Sequence, residues 1–182
     1  MAGERGLARI GDDPPFLITL GFDPATFERL DALRQRYFPP ERNQVPAHLS
    51  LFHQLPGHDF DSVDAELDRL ARSQSPIALQ FTAVRPTGRG VMLVVQAPGL
   101  VAVRNELART FARDLTPQDR QPYHPHVMVM NKAERSEADR ALHEIQAGWS
   151  PWSGTGDRLI LWRYLGGPWD EVASYPFLGP TR

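Results

Sequence analysis

The chain reads as one α+β domain built from two similar halves. Three observations lead there. Runs of β-type residues alternate with amphipathic helical stretches along the 182 residues. Two of those runs, His48-Leu49-Ser50-Leu51 and His126-Val127-Met128-Val129, carry a histidine at a matching place, one in each half. Each of the two leads through a loop into a helix, so strand, helix and histidine strand recur as a duplicated unit would make them.

The elements follow in order. Phe16 to Leu20 is an apolar strand closed by Gly21, and Asp23-Pro24 caps a helix with proline at its first position. In that helix Phe27, Leu30, Leu33 and Tyr37 form one stripe, and Pro39-Pro40 stops it. The first histidine strand covers Ala47 to His53. Pro56-Gly57 turns the chain into a helix capped by Asp59, with Val63, Leu67 and Leu70 inward. Ile77, Leu79, Phe81 and Ala83 alternate as a half-buried strand, and the loop Pro86 to Gly90 returns it to Val91–Val95 as a hairpin. A third helix is expected over Gly99 to Leu115, on the stripe Leu100, Val103, Leu107 and Phe111. The second histidine strand follows, then Ser136-Glu137-Ala138-Asp139 as the capping signature of a helix carrying Leu142 and Ile145. Leu159–Tyr164 and Trp169–Phe177 read as a closing hairpin whose aromatics cover one edge of a sheet.

Length fits a single domain over residues 1–182, with 1–14 expected as a flexible tail before two pseudo-symmetric lobes. A net charge of −2 argues against coating a nucleic-acid backbone, so a nucleic-acid substrate is gripped locally, at an end or one linkage. Cysteine is absent, which removes disulfides, thiol nucleophiles and cysteine metal sites. Neither a signal-peptide core nor a membrane-spanning run is visible, so a cytoplasmic protein with no membrane partner is expected; its expected state is a monomer.

The chemistry lies in the two histidine strands. Side chains at i and i+2 share a face, so His48 points with Ser50 and His126 with Met128, while Leu49, Leu51, Val127 and Val129 turn to a core. On the same count His53 points away from His48. If the strands are neighbours, two imidazoles meet in one groove and can serve a phosphate as general base and general acid near neutral pH. A metal held by His48, His124 and His126 is the weaker arrangement, because no carboxylate lies close in sequence. Arg85, Arg89 and Arg163 can offer guanidinium donors to a phosphate or be ordinary surface charges. Phe52, Tyr123 and Trp162 can stack a base or belong to the core.

Paired His-x-Ser/Thr-x strands in a duplicated α+β domain resemble the 2H phosphoesterase superfamily. Pro46-Ala47-His48-Leu49-Ser50-Leu51-Phe52 and Val127-Met128-Val129-Met130-Asn131-Lys132 are similar to its bacterial 2′-5′ RNA ligase branch. Leu115 to Arg120, Leu161 to Tyr164 and Gly166 to Trp169 extend the likeness over nearly the whole chain. The resemblance implies two mostly antiparallel sheets lining a central cleft, helices outside, and phosphodiester chemistry with no metal and no cofactor. His48 and His126 would flank the phosphorus of a 2′,3′-cyclic phosphate or a 2′-5′ linkage, on an RNA end or a small nucleotide, and run in reverse the same geometry joins ends. Ser50 would bind the phosphate oxygens.

One position departs from that family's pattern. Met128 stands where the second hydroxyl is expected, and a thioether donates no hydrogen bond. Lys132, Asn131 or Tyr123 are the nearby donors available to replace it, with Phe52 at the site's edge; Met128 and Met130 alternatively form an apolar wall. The alternative to an enzyme is therefore a weakened or inactive binder of phosphorylated RNA ends or nucleotides.

Overall fold

The computed structural model describes residues 13–180. Most of the tail expected over 1–14 thus lies outside the described residues; of its last two, Pro14 offers its carbonyl to Arg163 Nη1 at 3.3 Å. Among the described residues seven strands and four α-helices follow one another as β1 (Phe16–Phe22), α1 (Pro24–Tyr37), β2 (Leu49–Leu55), α2 (Phe60–Ser73), β3 (Ile77–Pro86), β4 (Val91–Gln96), α3 (Pro98–Thr110), β5 (His126–Met130), α4 (Arg135–Ala147), β6 (Trp152–Tyr164) and β7 (Trp169–Pro176).

All strand pairs are antiparallel. The order β2-β1-β6-β3-β4-β5 places the two histidine strands at opposite ends of the ladder, each beside the strand that precedes it by one helix. β6 joins the lobes: Trp152–Gly156 pairs with β3, while Arg158–Tyr164 pairs with β7, and β1 runs along its other side. The two lobe sheets are therefore continuous through β6. The ladder curls until its end strands β2 and β5 approach each other. That curl makes the cleft.

Helix α1 forms as its sequence asks: Asp23 accepts the amide of Thr26 at 2.8 Å, Pro24 occupies the first turn, and the helix ends before Pro39. Other ends differ from expectation. Asp59 makes no side-chain cap bond to α2. α3 stops at Thr110 and continues as turns, although Phe111 still packs edge-on against Phe52 at 6.0 Å. α4 begins at Arg135 with Glu134 at the cap, so Ser136 lies inside the helix. The cause is tertiary, since Arg89 holds Ala133 through both its carbonyl, which accepts the amide of Ala133, and its side chain, whose Nε donates to the carbonyl of Ala133.

β6 is the larger difference. It starts at Trp152 rather than Leu159 and lies between β1 and β3, so it closes no edge. A Cβ at Gly156 would collide with the side chain of Leu20, and one at Gly154 would come within 2.6 Å of Thr26. These glycines let side chains from β1 and α1 cross the strand closely. The core lies on the helix side, built from Phe16, Ile18 and Leu20 of β1, Leu49 and Leu51 of β2, and Leu159 and Leu161 of β6. Among the described residues no helix is long and apolar enough to cross a membrane.

Candidate functional site

His48 immediately precedes β2, and His126 opens β5. Both rings are fixed in the same way. Nδ1 of His48 lies 2.8 Å from the carbonyl oxygen of Pro46, and Nδ1 of His126 lies 2.8 Å from that of His124. A carbonyl only accepts, so Nδ1 carries the hydrogen in both, and Nε2 is left to exchange protons with a substrate. Two half-buried imidazoles, one from each lobe, thus offer the same nitrogen.

Their surroundings differ. Burial lowers the His48 pKa to about 4, and the positive charges of Arg34, His53 and His126 push the same way against the opposing bond to Pro46. His48 is neutral at neutral pH. In the unfolded chain its imidazole would titrate at 6.5, so between 6.5 and about 4 the unfolded state binds more protons than the folded one. Stability should therefore fall as pH drops through that window, and His48→Gln should flatten that part of the slope in urea titrations. An unchanged slope would show that His48 is not desolvated in the fold.

Arg34 is the structural link between the strands. It is buried in α1, donating from Nη1 to the carbonyl of Met128 at 2.8 Å and from Nη2 to the carbonyl of Val45 and to Asn43 Oδ1, each at 2.9 Å. One guanidinium therefore ties the approach to His48 to the strand of His126. Burial lowers its pKa to about 10, Asp31 opposing, and it stays charged at neutral pH. Asp31, one turn earlier, accepts the amide of Ala47 at 3.2 Å and holds the same approach.

Ser50 pairs with Thr19 and shares the cleft face with His48. Met128 pairs with Met92 and shares the face of His126, half-buried. Other expected residues lie elsewhere. Phe52 is fully buried, under the guanidinium of Arg104 at 3.9 Å, and cannot reach a ligand. Tyr123 commits its hydroxyl proton to the carbonyl of Ser50 at 3.0 Å, so it braces the loop before His126 against β2. Burial, against the charge of Arg104, raises its pKa. Lys132 lies beyond the far end of β5, roughly 20 Å from His126 at about 3.3 Å per residue, in the left-handed region at φ 56°. Arg89 is bound to Ala133, and Arg163 lies over the ring of Phe16, 4.3 Å away. Trp162 is buried with Nε1 on Thr19 Oγ1 at 2.8 Å. Among the described residues no three histidine, aspartate or glutamate side chains group as metal ligands would.

Two cleft residues were not foreseen. Trp169 of β7 places its ring 4.6 Å from that of His48. His53 enters the cleft because Thr19 pairs with Ser50 while Ile18 pairs with Phe52, leaving Leu51 as an extra residue. The bulge sends Leu51 and Phe52 both inward and reverses the phase beyond them, so the expectation that His53 points away from His48 fails. Asp119, buried, accepts the amides of His53 and Gln54.

The family model of the 2′-5′ RNA ligase superfamily matches residues 22–168. The chain belongs to that superfamily. Solved structures with this superfamily member's fold include LigT of E. coli complexed with 3′-AMP, at 20% identity and TM-score 0.62, covering 91% of this chain and 99% of LigT. TT0787 of Thermus thermophilus follows at 18% identity and TM-score 0.61, covering 92% and 100%. No curated protein sequence matches the chain. Membership accords with the curled antiparallel sheet and outer helices, the 2H phosphoesterase fold.

Proposed function

We propose that this protein is a metal-independent phosphodiesterase that opens 2′,3′-cyclic phosphates or cleaves 2′-5′ linkages on RNA ends or nucleotides, as a cytoplasmic monomer without a cofactor. The observation that carries the reading is the matched pair of imidazoles, each with Nδ1 held by the carbonyl two residues earlier and Nε2 left free. LigT has been crystallised with phosphate, 3′-AMP, ATP and NADP+, which favours nucleotide chemistry in the same fold.

The residues divide the work by charge. Neutral His48 takes a proton from water through Nε2 as the water oxygen bonds to phosphorus. The bond from phosphorus to the ribose 3′-oxygen breaks, and protonated His126 delivers its Nε2 proton to that oxygen. The product is a 2′-phosphate, and both histidines have exchanged protonation states, which solvent resets. Ser50 donates to a phosphate oxygen, and the buried charge of Arg34 adds to the field beneath it. In reverse, a hydroxyl attacks the cyclic phosphate and joins two ends.

The test is hydrolysis of 2′,3′-cyclic nucleotides and 2′-5′ dinucleotides in excess chelator, with the product's phosphate position read by NMR. A 2′-phosphate is expected; failure to turn over any of these substrates would overturn the reading. Met128 supports a second one, a binder with impaired chemistry, because it occupies the place that Ser50 holds in the first half. Met128→Thr restores a donor, and a hydrogen bond to a charged group is worth about 1.5–3 kcal/mol, so kcat/KM should rise roughly 10- to 100-fold. Binding without turnover in the wild type, with turnover gained in Met128→Thr, favours the binder. No gain in Met128→Thr shows that this position lies outside the phosphate site.

A further inference from the structure

The bulge in β2 builds a second polar feature in the cleft. Its displaced amides are taken up by one carboxylate: His53 N lies 3.0 and 3.1 Å from the two oxygens of Asp119, and Gln54 N lies 3.1 Å from Oδ2. Those bonds alone fix the bulge. Yet Oδ1 also lies 3.0 Å from Nδ1 of the His53 ring. The Asp119 side chain is 1% exposed and the His53 side chain 42%. Burial works to raise the pKa of Asp119, but the bonds from the His53 ring and the two amides outweigh it and hold the carboxyl ionised. Nδ1 therefore carries the hydrogen, and Nε2 is the atom the ring offers outward.

A groove of about 680 Å³ is lined by His53, Trp169 and Leu17 of β1. Neither His48 nor His126 lines it, but Trp169 touches both this groove and the ring of His48, so the space adjoins the imidazole pair without containing it. Its size falls within the roughly 300–1,000 Å³ of small-molecule sites. The other ionisable groups on it are Asp13, Asp114, His58 and Tyr164. Two carboxylates oppose a second phosphate there, whereas an aromatic face beside an oriented imidazole suits an uncharged ring with polar edges.

We propose that His53, oriented by Asp119, is a specificity-determining residue that receives the nucleoside adjoining the reacting phosphate, Nε2 bonding its polar edge while Trp169 covers its face. This rests on the phosphodiesterase reading above, and it deepens it: the preferred substrate is at least a dinucleotide. An extended substrate gains the contact, and a mononucleotide does not reach it.

The experiment uses unreactive product probes in calorimetry, adenosine 2′-monophosphate and the adenosine dinucleotide ending in the same 2′-phosphate. The wild type should bind the dinucleotide at least about tenfold more tightly, and His53→Ala should cut that preference to within about twofold while leaving mononucleotide affinity unchanged. Asp119 keeps both amide bonds in His53→Ala, so the bulge and the fold should be retained, with a lower melting temperature from the lost ring bond; His53→Gln, which retains a polar nitrogen, should keep part of the preference. Equal loss for both probes, or an undiminished preference in His53→Ala, overturns the proposal. Turnover of cyclic nucleotides with no dinucleotide preference in the wild type sinks this inference alone. Binding of neither probe and no turnover sinks both.

Discussion

Turnover of a 2′,3′-cyclic nucleotide falls by about 10²- to 10⁴-fold when either His48 or His126 becomes alanine, because each change removes one proton transfer of that worth. The two losses do not add, since the histidines act as a unit and the double variant has little left to lose. Folding should survive: both rings are half-buried, and each spends only one bond on a neighbouring carbonyl. Melting temperature and kcat/KM measured on the same preparations separate the effects. Full activity in both variants would remove the histidines from the chemistry.

Arg34→Met has the second largest expected effect, on stability and rate together. The guanidinium makes three bonds that join α1, the approach to His48 and the carbonyl of Met128. Each bond to a charged group is worth about 1.5–3 kcal/mol, and methionine recovers some of that by ending the burial of a charge, so a net loss of about 2–4 kcal/mol is expected. At roughly 2–4 °C per kcal/mol for a domain of this size, the melting temperature should drop by about 5–15 °C. Activity should fall as well, since misplacing one reacting group by about 1 Å can cost 10²-fold. Arg34→Lys keeps the charge without the fork and should lie between. Wild-type melting and rate in Arg34→Met would show that the strands need no clamp.

What was legible in the sequence is what repeats at fixed spacing. The stripes of α1 and α2 and the alternation in β3 follow periods of 3.6 and 2 and formed where their patterns lay, whereas the first histidine strand, expected over Ala47 to His53, runs from Leu49 to Leu55 with a bulge in it. The misreadings come from contacts distant in sequence. The strand expected from Leu159 begins at Trp152, with Gly154 and Gly156 leaving room for Thr26 and Leu20. His53 reads as facing away from His48 until the bulge at Leu51 shifts the phase. Lys132 and Tyr123 are close to His126 along the chain, but one lies past the far end of β5 and the other is spent on Ser50. Arg34 left a signal that went unread: it follows Leu30 by four residues, a cation on the apolar stripe of α1, and such a residue needs buried acceptors. Asp119 lies in the stretch Leu115 to Arg120 that carried the family likeness, but nothing local announces that its partners are in β2.

The pH dependence of kcat/KM for a 2′,3′-cyclic nucleotide tests the division of labour between the two histidines most directly. His48 must be neutral to accept a proton, so the wild-type rate should rise through about pH 4, where burial and the nearby positive charges place its titration. In His48→Ala the acid limb should disappear from whatever activity remains. A wild-type profile with no acid limb, or one that His48→Ala leaves in place, would contradict the assignment of His48 as the base.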